Sequence, residues 1–402
     1  MMLKDLILII ITGATCVLTG TSSSQYPMEL NEKQSSYPQQ TPTKQLLKAL
    51  GLTEPGVRRW HSNPPQFMVD LYKSVADSSG ITRFPGPYGA NVVRAFSQRE
   101  GRVGSSITFI VSGLQEKEDI LEAELHVFLS KLQKSHRHSL QDNNYMLQVS
   151  GEVGGLESVL EMQEVASHSS GWRVIRVGRW LKSNFQNIMT GDCFSPSSLC
   201  DNDTSESSRY TSIIFHVTAV IANGEVLSIN LHHRPRDARR PFLVLFNTSP
   251  QHLRVSSSET LTSSPHQELR KYSGIPTLKR MRRSVVEPTS IVAPLIPSGC
   301  ERRDMMVDFA SIGWSSWIVS PSSYNAFQCL GECSYPLDQN LNPTNHATVQ
   351  SIINHSGSFP RVQRPCCVPS AYSNLSLLYY DAEGNVVLKQ YDQMIATECG
   401  CH

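Results

Sequence analysis

Two short stretches near the end of the chain decide its fold: Cys329-Leu330-Gly331-Glu332-Cys333 and Cys399-Gly400-Cys401. Disulfides from Cys329 to Cys399 and from Cys333 to Cys401 would close these stretches into a ring of eight residues. Gly331 and Gly400 lie in the two arms, where a missing Cβ would leave room for a third disulfide, Cys300 to Cys367, to pass through the ring. Six cysteines allow many connectivities, so the spacing favours this pairing without determining it.

The C-terminal quarter of the chain holds seven of its ten cysteines. A zinc site is the alternative use of such a cluster, but the nearby His346, His355 and His402 do not complete two close pairs of ligands. We therefore expect disulfides and no metal. An odd number leaves one cysteine over in an oxidised domain, and we expect Cys366 to bond a second chain.

The start of the chain has the pattern of a secretory signal peptide. Lys4 precedes an apolar run from Leu6 to Leu18, which is too short to cross a bilayer and is followed by small polar residues. A buried N-terminal helix is the alternative, but no amphipathic continuation follows Gly20. We expect residues 1–22 to be removed and the product to reach the extracellular space without membrane insertion, because no later stretch has the roughly 20 apolar residues of a span.

A basic run separates the cysteine-rich quarter from the rest of the chain. The sequence is Lys279-Arg280-Met281-Arg282-Arg283-Ser284, within a polar stretch rich in Ser, Thr and Pro. An extended polar linker can enter a protease cleft, and Arg280, Arg282 and Arg283 resemble the recognition site of furin-type convertases. A solvated basic turn or a nuclear-import patch is the alternative. We expect cleavage between Arg283 and Ser284, giving a propeptide, 23–283, and a mature domain, 284–402.

Composition excludes other classes of function. The 402 residues carry 36 Lys+Arg and 35 Asp+Glu, so the formal charge of +1 gives no basic excess for a nucleic-acid partner. The chain has no Gly-x-Ser-x-Gly elbow, no His-Glu-x-x-His helix and no phosphate loop. We therefore expect neither an enzyme, with catalytic residues, nor a cofactor.

The predicted propeptide combines amphipathic helices with short strands. Two helical pieces are expected within residues 43–78, the second beginning at Pro64-Pro65 and carrying an apolar stripe from Phe67 to Val75. This stripe could clamp over the mature domain or pack within the propeptide. The strand-like runs are Ile107–Val111, Leu125–Leu129, Trp172–Val177, Ile213–Ile221 and Phe242–Phe246.

Four asparagines lie in the N-glycosylation pattern: Asn202, Asn247, Asn354 and Asn374. Each is expected in a surface position of a secreted protein. Two further cysteines, Cys193 and Cys200, lie in a Ser/Asp-rich loop, where they either pair with each other or bond a partner.

The C-terminal quarter resembles the cystine-knot growth factors of the transforming growth factor β superfamily. The motifs that carry the resemblance are Val307-Asp308-Phe309, Ile312-Gly313-Trp314-Ser315-Ser316-Trp317-Ile318, Tyr324 to Cys333, Asn345 to Gln350, Pro365-Cys366-Cys367-Val368-Pro369 and Cys399-Gly400-Cys401-His402. Upstream, Pro65 to Tyr72 and Asn91 to Phe96 resemble the prodomain of the family more loosely.

The resemblance implies a small all-β mature domain with two β-hairpin fingers, about residues 303–328 and 370–398. A wrist helix is expected near Asn345–Asn354. Such a chain has little core of its own, so disulfides of roughly 2 to 4 kcal/mol each and a partner subunit would stabilise it. We expect a homodimer, with a heterodimer possible, in which the partner covers the apolar side of the helix at Val349, Ile352 and Ile353.

The resemblance also implies two receptor surfaces. Trp314, Trp317 and Leu337 correspond to positions that receive the ectodomain of a type I receptor serine/threonine kinase, although core packing is an equal reading of the tryptophans. The positions expected to contact a type II receptor are Ser320, Pro321, Ser376, Leu377 and Leu378. Adjacent strand residues face opposite ways, so ordinary core packing competes for the two leucines.

Within the superfamily, two branches compete. Val387-Leu388-Lys389-Gln390-Tyr391-Asp392 resembles the bone morphogenetic protein branch, particularly the anti-dorsalizing morphogenetic proteins, whereas Asn342 to His346 also resembles nodal-type ligands. The first is expected to pattern embryos through receptor kinases and Smad proteins, and the second to act through activin-type receptors. A secreted cystine-knot antagonist is the remaining alternative.

Overall fold

The computed structural model describes residues 42–52, 63–98, 106–114, 118–131, 144–153, 155–190, 211–221, 224–229, 231, 238–249 and 299–402. Its helices are α1 Pro42–Leu50, α2 Gln66–Val75, α3 Gly178–Thr190 and α4 Asn345–Ser356. The propeptide strands are β1 Val92–Ser97, β2 Ser106–Val111, β3 Asp119–Leu129, β4 Asn144–Val153, β5 Leu156–Ala166, β6 Gly171–Arg176, β7 Thr211–Val220, β8 Val226–Ser228 and β9 Phe242–Thr248. The strands of the C-terminal domain are β10 Glu301–Arg303, β11 Met306–Asp308, β12 Ile318–Ser320, β13 Ser323–Asn325, β14 Gln328–Leu330, β15 Cys367–Tyr380 and β16 Val386–Cys401.

Two sheets organise the molecule. A seven-stranded sheet has the order β12-β15-β16-β1-β9-β3-β6, and a five-stranded propeptide sheet contains β2-β7-β4-β5 with β8 paired to β7. Strand β3 puts alternate apolar side chains, Leu125, Val127 and Leu129, into the core between the sheets. The propeptide is therefore a mostly β domain, as expected from its sequence.

The seven-stranded sheet runs through the propeptide and the C-terminal domain without a break. Strand β1 pairs antiparallel with β16, in the register Val92 to Lys389 and Ala95 to Val386, and on its other edge with β9. The backbone N–H of Gln390 extends the pairing by donating to the carbonyl of Asn91 at 2.9 Å. A propeptide strand thus covers the edge of a finger.

The second finger is one long hairpin, and the first is a broken one. Strands β15 and β16 pair over almost their whole length, from Cys367–Cys401 to Tyr380–Val386. In the first finger only short ladders form, β10 with β14 and β11 with β13, and β12 leaves the hairpin to pair with β15. The tip of the first finger is thereby attached to the second.

Local signals explain where most helices lie. Helix α4 begins after Thr344, whose hydroxyl accepts from the N–H of Ala347 at 3.1 Å, and ends at Gly357 with a positive φ of 66°. Helix α2 buries Met68, Leu71, Tyr72 and Val75, which are spaced three and four apart.

Helix α3 has no counterpart in the sequence prediction. Its Leu181, Phe185 and Ile188 have helical spacing, but the helix opens with Gly178 and has no acidic residue in its first turn, so its start carries no clear local signal. Its first residue packs so closely against β3 that only glycine fits, because a Cβ on Gly178 would overlap the carboxylate of Glu122.

Candidate functional site

The C-terminal domain is closed by three disulfides: Cys300–Cys367, Cys329–Cys399 and Cys333–Cys401. Their Cα–Cα distances are 5.3, 5.6 and 5.8 Å. These are the pairs that the ring arrangement requires. The sulfurs of Cys300, Cys333 and Cys401 lie within 4.8 Å of one another, so the third bond is next to the ring, and none of these sulfurs is a thiolate that could bind a metal.

Gly331 is the ring residue against which the chain leading into Cys300 packs. Its φ is 125°, and a Cβ there would overlap the backbone carbonyl of Gly299, immediately before Cys300. Gly400 is needed for a different reason from the one predicted, since a Cβ on it would lie 2.8 Å from the carbonyl oxygen of Asn342. Backbone of neighbouring segments, rather than the third disulfide, fills both spaces.

Cys366 takes no part in these three pairs. Its backbone forms two hydrogen bonds with His402, of 2.8 and 2.9 Å, which hold the half-buried residue at the end of the domain. The bond from Cys366 to a second chain stays a prediction.

Trp314 and Trp317 lie inside the first finger and are 2% and 4% exposed. Their ring centroids are 5.2 Å apart, Trp314 stacks on Phe309, and Trp317 meets Tyr379 of the second finger edge-on at 6.0 Å. In the full chain they are core residues, and the type I receptor contact expected of them in the released domain stays a prediction. Leu337 is half-buried.

The predicted type II surface is also covered in the full chain. Ser376, Leu377 and Leu378 have no exposed area, Pro321 is buried, and Ser320 is half-buried. These residues lie together on and beside β12 and β15 and are covered in the precursor, and their contact with a type II receptor after release stays a prediction.

A propeptide segment after α2, residues 77–82, covers this surface. Backbone hydrogen bonds join the N–H of Ser376 to Gly80 at 2.8 Å and the N–H of Thr82 to Asn374 at 2.9 Å. The hydroxyls of Thr82 and Ser376 are 2.8 Å apart. Asp77 orders the segment, because its carboxylate accepts from Ser79 and Ile81 and pairs with Arg83.

We expect Gly80→Val to detach residues 77–82 from the finger. Gly80 has a φ of 85°, and a Cβ on it would lie 2.8 Å from Pro321 Cγ and 2.9 Å from Leu375 Cδ1. Overpacking of this kind costs about 1–3 kcal/mol, so hydrogen exchange at the amides of Ser376 and Thr82 should accelerate about tenfold or more. Gly89→Val is the matched control, with a φ of 77° and no atom within 4 Å of its Cβ. Equal protection of the two amides in both variants would contradict the expectation.

Helices α1 and α2 lie on opposite faces of the second finger. Neighbouring side chains of a strand point to opposite faces of its sheet, so Lys389 and Leu388 on β16 mark the two faces. Lys389 is beside the end of α1, since a Cβ on Gly51 would lie 3.8 Å from its Nζ. Leu388 lies on the opposite face of the sheet, the same face as Phe242 on β9. The ring of Phe242 lies 6.1 Å, centroid to centroid, from that of Phe67 in α2, so α2 is on this second face. The apolar stripe of α2 shares one core with the fingers, which supports its role as a clamp.

A buried ion pair lies where β1 joins the finger. Arg94 donates to both carboxylate oxygens of Glu118, at 2.5 and 2.8 Å, and both side chains are almost fully buried. Burial lowers the pKa of Arg94, but the hydrogen bond and charge of Glu118 outweigh this and raise it, so Arg94 stays charged.

The glycosylation prediction at Asn247 is wrong for the folded chain. Asn247 on β9 has no exposed area, and its Nδ2, the atom that would carry a glycan, donates to Glu118 at 3.0 Å. The half-buried Asn354 donates its Nδ2 to the carbonyl of Val362 at 2.7 Å, and Asn374 is half-buried beside Thr82. Glycans at these last two stay predictions.

Several predicted sites fall outside the described residues. They are the glycosylation site Asn202, the pair Cys193 and Cys200, and the cleavage site Arg280, Arg282, Arg283 and Ser284. The signal peptide lies outside them as well. In the part of the chain that is described, no helix has the length and apolar character of a membrane span.

The wrist helix α4 leaves apolar side chains uncovered. Val349 and Ile352 are each more than half exposed, and Phe359 and Tyr335 beside the helix are also exposed. The ring of Tyr335 stacks on His355 at 4.1 Å. This face has the character of a surface that a partner covers.

Sequence reasoning missed the propeptide residues that hold the finger: Gly80, Thr82, Arg94 and Glu118. The residues from Asp77 to Gly80 predict a turn, but nothing in them indicates that the turn packs against Ser376 of β15. Arg94 lies within an otherwise apolar run from Val92 to Phe96, and a lone charge in such a strand indicates a buried partner.

Comparison with known proteins covers both parts of the chain. A family model described as the transforming growth factor beta like domain matches residues 299–401, and one described as the TGF-beta propeptide matches residues 27–246. The Nodal homolog of Xenopus tropicalis is 30% identical over 366 residues, which are 84% of this chain and 87% of that protein. Human bone morphogenetic protein 3 is 38% identical over 167 residues, 41% of this chain and 33% of that protein. Bone morphogenetic protein 3 of Xenopus laevis is 50% identical over 105 residues, 26% of this chain and 23% of that protein.

Proposed function

The chain belongs to the transforming growth factor β family of signalling growth factors, and from this we propose that it is the precursor of a secreted, bone morphogenetic protein-like ligand. A furin-type convertase cleaves it after Arg283. The released C-terminal domain acts as a dimer, linked through Cys366, that assembles type I and type II receptor serine/threonine kinases and activates Smad signalling during embryonic patterning.

One observation carries this proposal: the propeptide holds the finger that would bind receptors. Strand β1 occupies the edge of β16, and residues 77–82 lie over Ser376 and Pro321. Removal of the propeptide would expose both the edge of β16 and the predicted type II surface beside residues 77–82.

Dimerisation supports the same function. The exposed Val349 and Ile352 on α4 form an apolar face in a domain too small for a large core of its own. A second copy of the domain covers this face, and the bond through Cys366 keeps the two copies together.

The first test is a reporter assay on medium from cells expressing the full chain. We expect non-reducing electrophoresis to show a covalent dimer of the C-terminal domain, and a reporter for the bone morphogenetic protein Smad branch to respond. Arg283→Ala should abolish both, because the growth factor stays attached to its propeptide. Lys279→Ala is the matched control, since Arg280, Arg282 and Arg283 remain. A single-chain product with full activity would contradict the dimer, and inhibition of a responsive reporter would indicate an antagonist.

A nodal-type ligand acting through activin-type receptors is the second candidate. The similarity to the Nodal homolog extends over 84% of this chain, including the propeptide, which favours it. The same medium on a reporter for the activin Smad branch separates the two candidates. A response from that branch alone would replace the bone morphogenetic protein assignment.

A further inference from the structure

We propose that Lys389 is the growth-factor residue that recognises helix α1 of the propeptide, by placing its ammonium group at the C-terminal end of that helix. The inference deepens the proposed function, because it concerns residues 23–283 while they remain bound to 284–402. Lys389 would then determine which propeptide this growth factor retains after cleavage.

The end of α1 is a well-formed helix terminus. Gly51 follows the helix with a φ of 61°, and the N–H of Leu52 donates back to the carbonyl of Leu47 at 2.9 Å. This bond satisfies one carbonyl of the last turn, and the other free carbonyls concentrate partial negative charge there. The buried side chains of Leu47, Leu50 and Leu52 hold the terminus in place.

The ammonium group of Lys389 is held at this terminus from the finger side. Its Nζ lies 3.8 Å from where a Cβ of Gly51 would be, and 4.7 Å from the centre of the Tyr391 ring. A ring face and a helix C-terminus both attract a cation. Within the described ranges, no carboxylate forms an ion pair with Lys389. The helix end and the ring are therefore its nearest attractive groups, and the Glu118 carboxylate attracts it without forming an ion pair.

The surroundings make this contact selective. Burial lowers the pKa of Lys389, as does the positive charge of Arg94, while Glu118 raises it. A desolvated cation attracts the partial negative charge of a helix C-terminus and repels a helix N-terminus or a second cation. A propeptide that placed either of those beside β16 would be rejected, although β1 could still pair with the strand edge.

The test measures how fast the propeptide dissociates from the growth factor in the cleaved complex. We expect Lys389→Met to accelerate dissociation about tenfold and Lys389→Glu much more, whereas Lys389→Arg stays within about threefold of the original chain. Lys44→Met removes the same charge from an exposed position of α1 and should have no effect. Dissociation of Lys389→Met at the original rate, or of Lys389→Arg as fast as Lys389→Met, would overturn the inference.

Variants on the propeptide side leave the sequence of the growth factor unchanged. Asp and Asn both tolerate a positive φ, so both fit at position 51. Gly51→Asp puts a carboxylate beside the ammonium group and should slow dissociation severalfold, whereas Gly51→Asn should not. Equal rates for these two variants would also overturn the inference. Reporter activity of the released growth factor is measured on the same samples. An inactive growth factor would contradict the proposed function, whereas the order of the dissociation rates alone tests the role of Lys389.

Discussion

Gly331→Ala is expected to prevent the C-terminal domain from forming its three disulfides. Alanine has to adopt a φ of 125°, and its Cβ overlaps the carbonyl group of Gly299. Both atoms belong to backbone that is tied down by Cys300 and by the ring, so no flexible side chain can move away. The backbone at Gly299 and Cys300 can then no longer pack against the ring, and each disulfide that fails to form removes about 2–4 kcal/mol of stability.

The measurement is non-reducing electrophoresis of the expressed product together with a count of free thiols. Gly357→Ala is the matched control, because Gly357 also has a positive φ, 66°, but no atom lies within 4 Å of its Cβ. It should cost only about 1–2 kcal/mol, the penalty for a left-handed residue with a side chain. A Gly331→Ala product with all three disulfides would show that the ring is wider than the structure has it.

Glu118→Gln should weaken the pairing of propeptide strand β1 with strand β16 of the second finger. The substitution leaves the Arg94 cation buried without its carboxylate, and breaking a buried pair in this way costs about 3–5 kcal/mol. Because Arg94 lies on β1 opposite Val387 of β16, the loss falls on the strand that connects the two domains. We expect rapid hydrogen exchange at the amide of Gln390, which otherwise donates to Asn91.

Two comparisons make this result specific. Arg83→Met breaks the ion pair with Asp77, in which the arginine side chain is 63% exposed, and should cost at most about 1 kcal/mol. A double variant, Arg94→Met with Glu118→Gln, removes both buried charges, keeps an acceptor for the amide of Asn247 and should recover most of the protection. If the double variant exchanged as fast as Glu118→Gln alone, the uncompensated cation would not be the cause.

Elements with strong local signals were predictable from the sequence. The stripe from Phe67 to Val75 indicated α2, and the apolar run from Phe242 to Phe246 indicated β9. Strands β4 and β5 were missed because their polar outward residues, such as Gln148 and Glu161, interrupt the apolar pattern. Strand β4 is stabilised by pairing with β5 and β7, and the sequence does not reveal these partners.

Burial was the property least accessible from the sequence. Asn247 has the same local pattern as a glycosylated surface asparagine, but the Glu118 carboxylate, 129 positions away, accepts from its amide in the core. Trp314 and Trp317 suit either a receptor surface or a core, and only their contacts with Phe309 and Tyr379 place them inside the finger of the precursor.

Residue patterns alone were enough to favour the knot and to predict where the chain divides. Cysteine spacing and the glycines between cysteines are local properties, and a covalent ring of eight residues leaves few ways to fold around it. The sites at which the propeptide contacts the growth factor became known from the tertiary structure alone. Thr82 and Ser376 are 294 positions apart, and contacts across such a distance depend on shape and charge brought together by folding, not on any pattern within either segment.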